Sequence, residues 1–244
     1  YSLTPTVAIV DPALVLTVPG SVAADTGMDV LTHATEAYVS QMASDYTDGL
    51  ALQAIKLVFE NLESSVKNAD FHSREKMHNA STIAGMAFAN AFLGISHSMA
   101  HKIGAQFHTI HGRTNAILLP YVIRYNGTRP AKTATWPKYN YYRADEKYQD
   151  IARMLGLPCS TPEEAVDAYA KAVYELGERV GIQMNFKAQG IDEKEWKKHS
   201  RELAFLAYED QCSPANPRLP MVDHMQEIIE DAYYGYKERP GRRK

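Results

Sequence analysis

Cysteine is scarce in this sequence. Cys159 and Cys212 are the only two in 244 residues, too few for a disulfide framework or a thiolate metal site. Both are read as reduced thiols, so a cytoplasmic location is expected. No apolar run approaches the ~18 residues a membrane-spanning helix needs, and no stretch has the make-up of a signal peptide. An excess of positive charge is missing too. Lys and Arg number 26 against 29 Asp and Glu, a net charge of −3, which gives no bulk attraction to nucleic acid or to an anionic membrane. Five basic groups crowd between Lys237 and Lys244, beside Pro240 and Gly241, a pattern expected of a frayed, solvated terminus. Internal repeats and low-complexity tracts are absent. What remains, 45% hydrophobic and 23% charged, is the composition of an ordinary globular domain with a real core.

The opening run Thr6-Val-Ala-Ile-Val10 is β-branched and stopped by Asp11-Pro12, which predicts a strand. A lone strand is unstable, and Tyr1-Ser2-Leu3 is neither an initiator methionine nor a cap. The expectation is a fragment of a longer protein, with residues 1–20 as a remnant strand and connector and residues 21–244 as one all-α domain. From Ser21 onward the signals are helical. Apolar residues recur at helical spacing over Ala23 to Ser40 and Asp45 to Lys67. Arg74 to about Lys102, nearly free of charge after Met77, predicts a buried central helix. Asn115 to Arg124 predicts another, kinked or shortened by Pro120. Thr128 to Lys147, with Pro130, Pro137 and Tyr139-Asn-Tyr-Tyr142, reads as an excursion containing a hairpin. Three helices are expected after it. Thr161-Pro162-Glu163-Glu164 is a capping box with proline at the first helical position. Asp192 opens the next helix, and Met221 to Tyr234 forms the last.

Nine histidines are present and unevenly placed. His72, His78, His199 and His224 lie scattered, mostly among charged residues, and read as surface or capping imidazoles. His97, His101, His108 and His111 crowd together, and His33 follows Asp29 by four residues. Asp29 and His33 therefore project from one face of a helix, inside a stretch where a core would want apolar groups. A buried carboxylate is costly unless paired or bound to a metal. On one continuous helix His97 and His111 would stand ~21 Å apart, so sharing a metal requires the helix to end after His101 and the chain to turn back. Gly104, the polar stretch to Thr109, and Gly112 permit both. A mixed imidazole and carboxylate set suits a divalent transition metal and not Mg²⁺ or Ca²⁺. Spacing leaves open which of Asp29, His33, His97, His101, His108 and His111 ligate.

Several stretches resemble the iron-containing (group III) alcohol dehydrogenases. They are Ala8-Ile9-Val10-Asp11-Pro12, Thr26-Gly27-Met28-Asp29-Val30-Leu31-Thr32-His33-Ala34, Gly94-Ile95-Ser96-His97-Ser98-Met99-Ala100-His101 and His111-Gly112-Arg113-Thr114-Asn115-Ala116. Met42 to Gly49, Lys76 to Thr82, Phe88 to Leu93, the Tyr-rich excursion and Glu209-Asp-Gln-Cys212 are similar, more narrowly, to the alcohol dehydrogenase module of bifunctional aldehyde–alcohol dehydrogenases. The likeness runs essentially end to end but reaches only the second half of that module. The family's glycine-rich pyrophosphate loop and α/β cofactor domain precede the Ala-Ile-Val-Asp-Pro strand, and no such loop occurs in this sequence.

The resemblance implies metal ligands at Asp29, His33, His97 and His111. It makes His101 the histidine beside nicotinamide and substrate, a proton relay and not a ligand. It puts Leu14, Thr17 and Val18 near the dinucleotide. The implied cofactors are Fe²⁺, with Zn²⁺ second, and NAD. Four protein ligands would close a tetrahedral Zn²⁺ site, whereas Fe²⁺ leaves a further position for substrate. The implied reaction interconverts acetaldehyde and ethanol or a similar short-chain pair. The implied partners are the upstream half of the same protein and further copies in an oligomer or filament, and the fragment alone is expected to be inactive. Rival expectations are a Zn²⁺-dependent polyol dehydrogenase or synthase of the same fold, and an assembly module without catalysis.

Overall fold

A computed structural model describes residues 5–130 and 142–235. The expected hairpin near Tyr139, the basic tail from Lys237 and the opening Tyr1-Ser2-Leu3 lie outside these residues. Among the described residues the chain is all-helical. The helices are α1 (Gly20–Val39), α2 (Asp45–Lys67), α3 (Phe71–Ala91), α4 (Ile95–Phe107), α5 (His111–Gly127), α6 (Ala144–Met154), α7 (Pro162–Arg179), α8 (Glu193–Tyr208) and α9 (Val222–Tyr234), with short 3-10 turns at Pro12–Val15 and Ser213–Ala215. Among them no single helix is long and apolar enough to cross a membrane.

Local chemistry accounts for most of the boundaries. At the start of α2 the Thr47 amide donates to Ser44 Oγ at 3.4 Å and the Ser44 amide donates to Thr47 Oγ1 at 2.8 Å, a reciprocal cap. Asp70 accepts the Ser73 amide at 2.9 Å to open α3, and Asp192 accepts the Lys194 and Glu195 amides to open α8. Thr161 caps α7 through the Glu164 amide, but Glu164 itself reaches one residue further back, to the Ser160 amide.

Four sequence expectations need correction. The remnant strand at Thr6 to Val10 does not form; the run is unpaired, with Val7 75% and Ile9 88% exposed, because no described strand lies beside it. The single helix over Arg74 to Lys102 is two helices, α3 and α4, bent by 106°. The bend lies at Phe92, which takes a positive φ of 61°, and at Gly94, the N-cap of α4. Pro120 does not shorten α5, which runs past the expected Arg124 to Gly127. Finally, α6 begins inside the supposed excursion and buries Tyr148, Ile151 and Ala152.

In the packing, α1 rests on α2, α3 and α5, while α5 also meets α4, α7 and α9, and α8 lies across α4 and α9. Met28, Leu31, Ile55, Leu62, Ile95 and Met99 are fully buried between these helices, each contributing about 1.5–3 kcal/mol by leaving water. Trp196 of α8 joins the layers: its ring stacks on Phe107 (5.1 Å), Phe186 (4.8 Å) and Tyr233 (5.0 Å) between centroids. The result brings the middle of α1 against the first turns of α4 and α5.

Candidate metal centre

The 106° bend and the turn after α4 decide which histidines meet. His97 is the third residue of α4, and His108 ends that helix in the left-handed region (φ 54°, ψ 35°), one of the few conformations that reverses a chain at once. His111 then opens α5. The two histidines thus stand at the amino ends of two different helices, as a shared site requires. Gly112 lets α5 come close, since a Cβ there would lie 2.2 Å from the Asp25 carbonyl oxygen and 3.1 Å from Asp29 Cβ.

One donor atom each from Asp29, His97 and His111 lie within 4.8 Å of one another. Asp29 Oδ1 is 3.8 Å from His97 Nε2 and 3.7 Å from His111 Nε2. His97 is 1% exposed, and its Nε2 is buried without a hydrogen-bond partner. An orphaned buried nitrogen is uncommon and calls for a partner. Facing a carboxylate and a second imidazole, it has the donor set of a divalent transition metal. The residues present fit such an ion.

His33 is beside this trio but not in it. Its ring lies between Phe88 and His97, stacked at 4.5 Å on each. Burial first, then the neighbouring His97, lowers its pKa to about 4. Burial also lowers that of His111. Both shifts keep imidazole neutral, the form that binds metals.

His101 stacks on His111 at 5.5 Å and meets His97 edge-on at 6.2 Å. Its Nδ1 is 3.1 Å from Asp210 Oδ2, which also accepts from Lys102 Nζ at 2.8 Å. Burial works to raise the Asp210 carboxyl, but hydrogen bonds from Lys102, the Cys212 amide and His101 outweigh it and hold it below the ordinary value. His101, Asp210 and Cys212 also have donor atoms within 4.8 Å of one another. Lys102 already supplies their cation, and burial pushes the Cys212 thiol up to about 12, so this group serves as a holder for His101.

The remaining expected residues lie elsewhere. Leu14 is 75% exposed, in the 3-10 turn. The segment is tied to α3 by buried Arg74, which donates to the Val15 carbonyl at 3.1 Å and the Val18 carbonyl at 2.8 Å. Val18 lines a cavity of about 270 Å³ with Thr26, Arg74, His78 and Ser81, apart from the histidine cluster. Thr17, next to it in the chain, is exposed. His108 takes the turn and joins neither cluster.

Sequence reading missed the residues that hold the cluster. Glu36, 2% exposed, lies 2.6 Å from His97 Nδ1. Asn115 Nδ2 donates to Asp29 Oδ1 at 2.8 Å and lies 3.1 Å from His111 Nε2, while its Oδ1 accepts from Ser96 Oγ. Arg113 clasps Asp25. The signal was available: Asp25 and Glu36 follow the same helical face as Asp29 and His33, and Asn115 is one turn past His111.

Comparison with known proteins gives the chain's family and fold. Residues 23–233 match the model of the Fe-containing alcohol dehydrogenase family, C-terminal. The chain is similar to the aldehyde-alcohol dehydrogenase of Streptococcus pneumoniae, 96% identical over 100% of this chain and 28% of that protein. It is 61% identical to aldehyde-alcohol dehydrogenase 2 of Entamoeba histolytica, over 96% of this chain and 27% of that protein. Its fold matches that of an iron-containing alcohol dehydrogenase from Thermococcus thioreducens with a TM-score of 0.82 and 35% identity, over 96% of this chain and 56% of the other. The chain therefore spans little more than a quarter of the first two relatives. It belongs to the iron-containing alcohol dehydrogenase family.

Proposed function

We propose that this chain is the helical, metal-holding part of an enzyme that interconverts a short-chain aldehyde and its primary alcohol, acetaldehyde and ethanol, with NAD. The observation that carries the reading is the partnerless, buried Nε2 of His97 opposite Asp29 Oδ1 and His111 Nε2. In this reading Asp29, His33, His97 and His111 hold Fe²⁺, or Zn²⁺ in its place. When bound, the ion supplies Lewis acidity toward the substrate oxygen.

The protein's own part is to position and to move a proton. Asp210 holds His101 at Nδ1, which leaves Nε2 as the atom that gives a proton to the product alcohol or takes one from the substrate alcohol. An imidazole can both give and take a proton, which suits that duty. Leu14, Thr17 and Val18 approach the dinucleotide, whose pyrophosphate is held by an upstream α/β half. Residues 1–20 are the connector to that half, and residues 21–244 the catalytic helical domain. The whole enzyme works in the cytoplasm as a homo-oligomer or filament.

Two measurements test the reading. This chain, purified without oxygen, should bind one equivalent of Fe²⁺ or Zn²⁺ and lose it on Asp29→Ala. It should also reduce acetaldehyde with NADH far more slowly than a polypeptide carrying the upstream half, because hydride transfer needs the nicotinamide held rigidly in contact. A chain that binds neither metal would sink the proposal.

A further inference from the structure

Glu36 stands in the buried face of α1, and its partners are unusual. Oε1 accepts the Ser96 amide at 2.7 Å, Oε2 accepts the Gly94 amide at 3.0 Å, and Oε2 also lies 2.6 Å from His97 Nδ1. The first two bonds cap α4 from a neighbouring helix, where the amide ends of a helix favour a negative charge. A cap needs no more. The third bond does something a cap does not require. An ionised carboxylate only accepts, so the proton of His97 must sit on Nδ1, and Nε2 must be bare. That bare nitrogen is the orphan at the metal centre.

From this we infer that Glu36 is a positioning residue for the metal centre: it sets the tautomer and ring orientation of His97 while fixing the first turn of α4 that carries it. The inference rests on the proposed metal site. Gly94 belongs to the same unit, because a Cβ there would lie 2.9 Å from Glu36 Oε1 and 2.8 Å from Asn216 Oδ1. Outer carboxylates that hold a ligating histidine commonly govern metal affinity by about 10–100-fold.

The test uses this chain, Co²⁺ as a coloured probe, and two variants. Glu36→Gln keeps the shape but leaves one acceptor oxygen for three donors, so His97 loses its fixed tautomer. Co²⁺ affinity should fall about 10–100-fold. Asn216→Ala is the control. Asn216 Oδ1 accepts the Ile95 amide at 3.4 Å, so this change loosens the same helix start without touching His97, and affinity should stay within about threefold. Equal loss in both variants, or undiminished affinity in Glu36→Gln, overturns the inference. Should Glu36→Gln fail to fold, ¹⁵N spectra of the wild-type histidines without metal still decide it. A proton on Nδ1 of His97 supports the inference, and a proton on Nε2 alone overturns it. If the wild type gives no Co²⁺ spectrum at all, the metal site fails, and the inference falls with it.

Discussion

Arg113 grips Asp25 with two parallel bonds, Nε to Oδ1 at 2.9 Å and Nη2 to Oδ2 at 3.0 Å. Asp25 lies one turn before Asp29 on α1, and Arg113 lies two residues after His111 on α5. The pair braces the two helices next to Asp29 and His111. Asp25 is nearly buried and Arg113 partly open, with side chains 5% and 29% exposed. Arg113→Ala should therefore cost about 2–3 kcal/mol, chiefly through the carboxylate left behind. Adding Asp25→Asn to it should cost little more, because the two share one interaction. Urea unfolding of both variants measures this, and fully additive losses would refute the brace.

Gly112→Ala should separate α1 from α5. The added carbon would meet the Asp25 backbone carbonyl at 2.2 Å, and backbone cannot swing aside as a side chain can. Overpacking of this kind costs about 1–3 kcal/mol. The same displacement carries His111 away from Asp29, so metal affinity should drop in step with stability. A variant with normal Co²⁺ binding would show that the close approach is dispensable.

His97 and His101 should separate under mutation. In a protein that also carries the upstream half, His97→Ala should lose metal and turnover together. His101→Ala should keep its metal and slow by about 10²–10⁴-fold, the usual worth of a general acid–base group. Metal content measured beside turnover decides between the two roles. Release of metal from His101→Ala as readily as from His97→Ala would falsify the division.

Acid should act at the start of α3. Hydrogen bonds from Ser73, then from Ser64, hold the Asp70 carboxyl down to about 2. Its folded value lies below the unfolded one of ~3.9, so the stabilisation is present above about pH 4 and is lost as pH falls through about 2. Asp70→Asn can still cap the helix but cannot titrate. The melting temperature of the wild type relative to this variant should decline over that window. A difference that stays constant down to about pH 2 would show that the carboxylate's charge is irrelevant there.

How far the sequence could be read follows from the range of each signal. Asp45 to Lys67 was legible to the residue because its apolar stripe is a local signal. The nearness of Asp29, His97 and His111 was legible because the resemblance singled them out, whereas His33, one turn after Asp29, lies beside that trio and not in it. The α3–α4 bend was hidden, since Phe92-Leu93-Gly94 sits in an apolar run whose break is held by Glu36 and Asn216, 58 and 121 residues away from the amides they accept. α6 was hidden by the tyrosines and prolines before it. The strand at Thr6 to Val10 was read from composition alone, and composition supplies no partner.

That last run has a practical consequence. Val7 and Ile9 stand in the open, on an uncharged stretch of five residues from Thr6 to Val10, with no strand beside it among the described residues. A bare apolar edge recruits whatever extended chain is nearest, and in a concentrated solution that is another copy of itself. Turbidity of this chain should therefore rise steeply with concentration and be relieved by Ile9→Lys, a gatekeeping charge that leaves the helical body untouched.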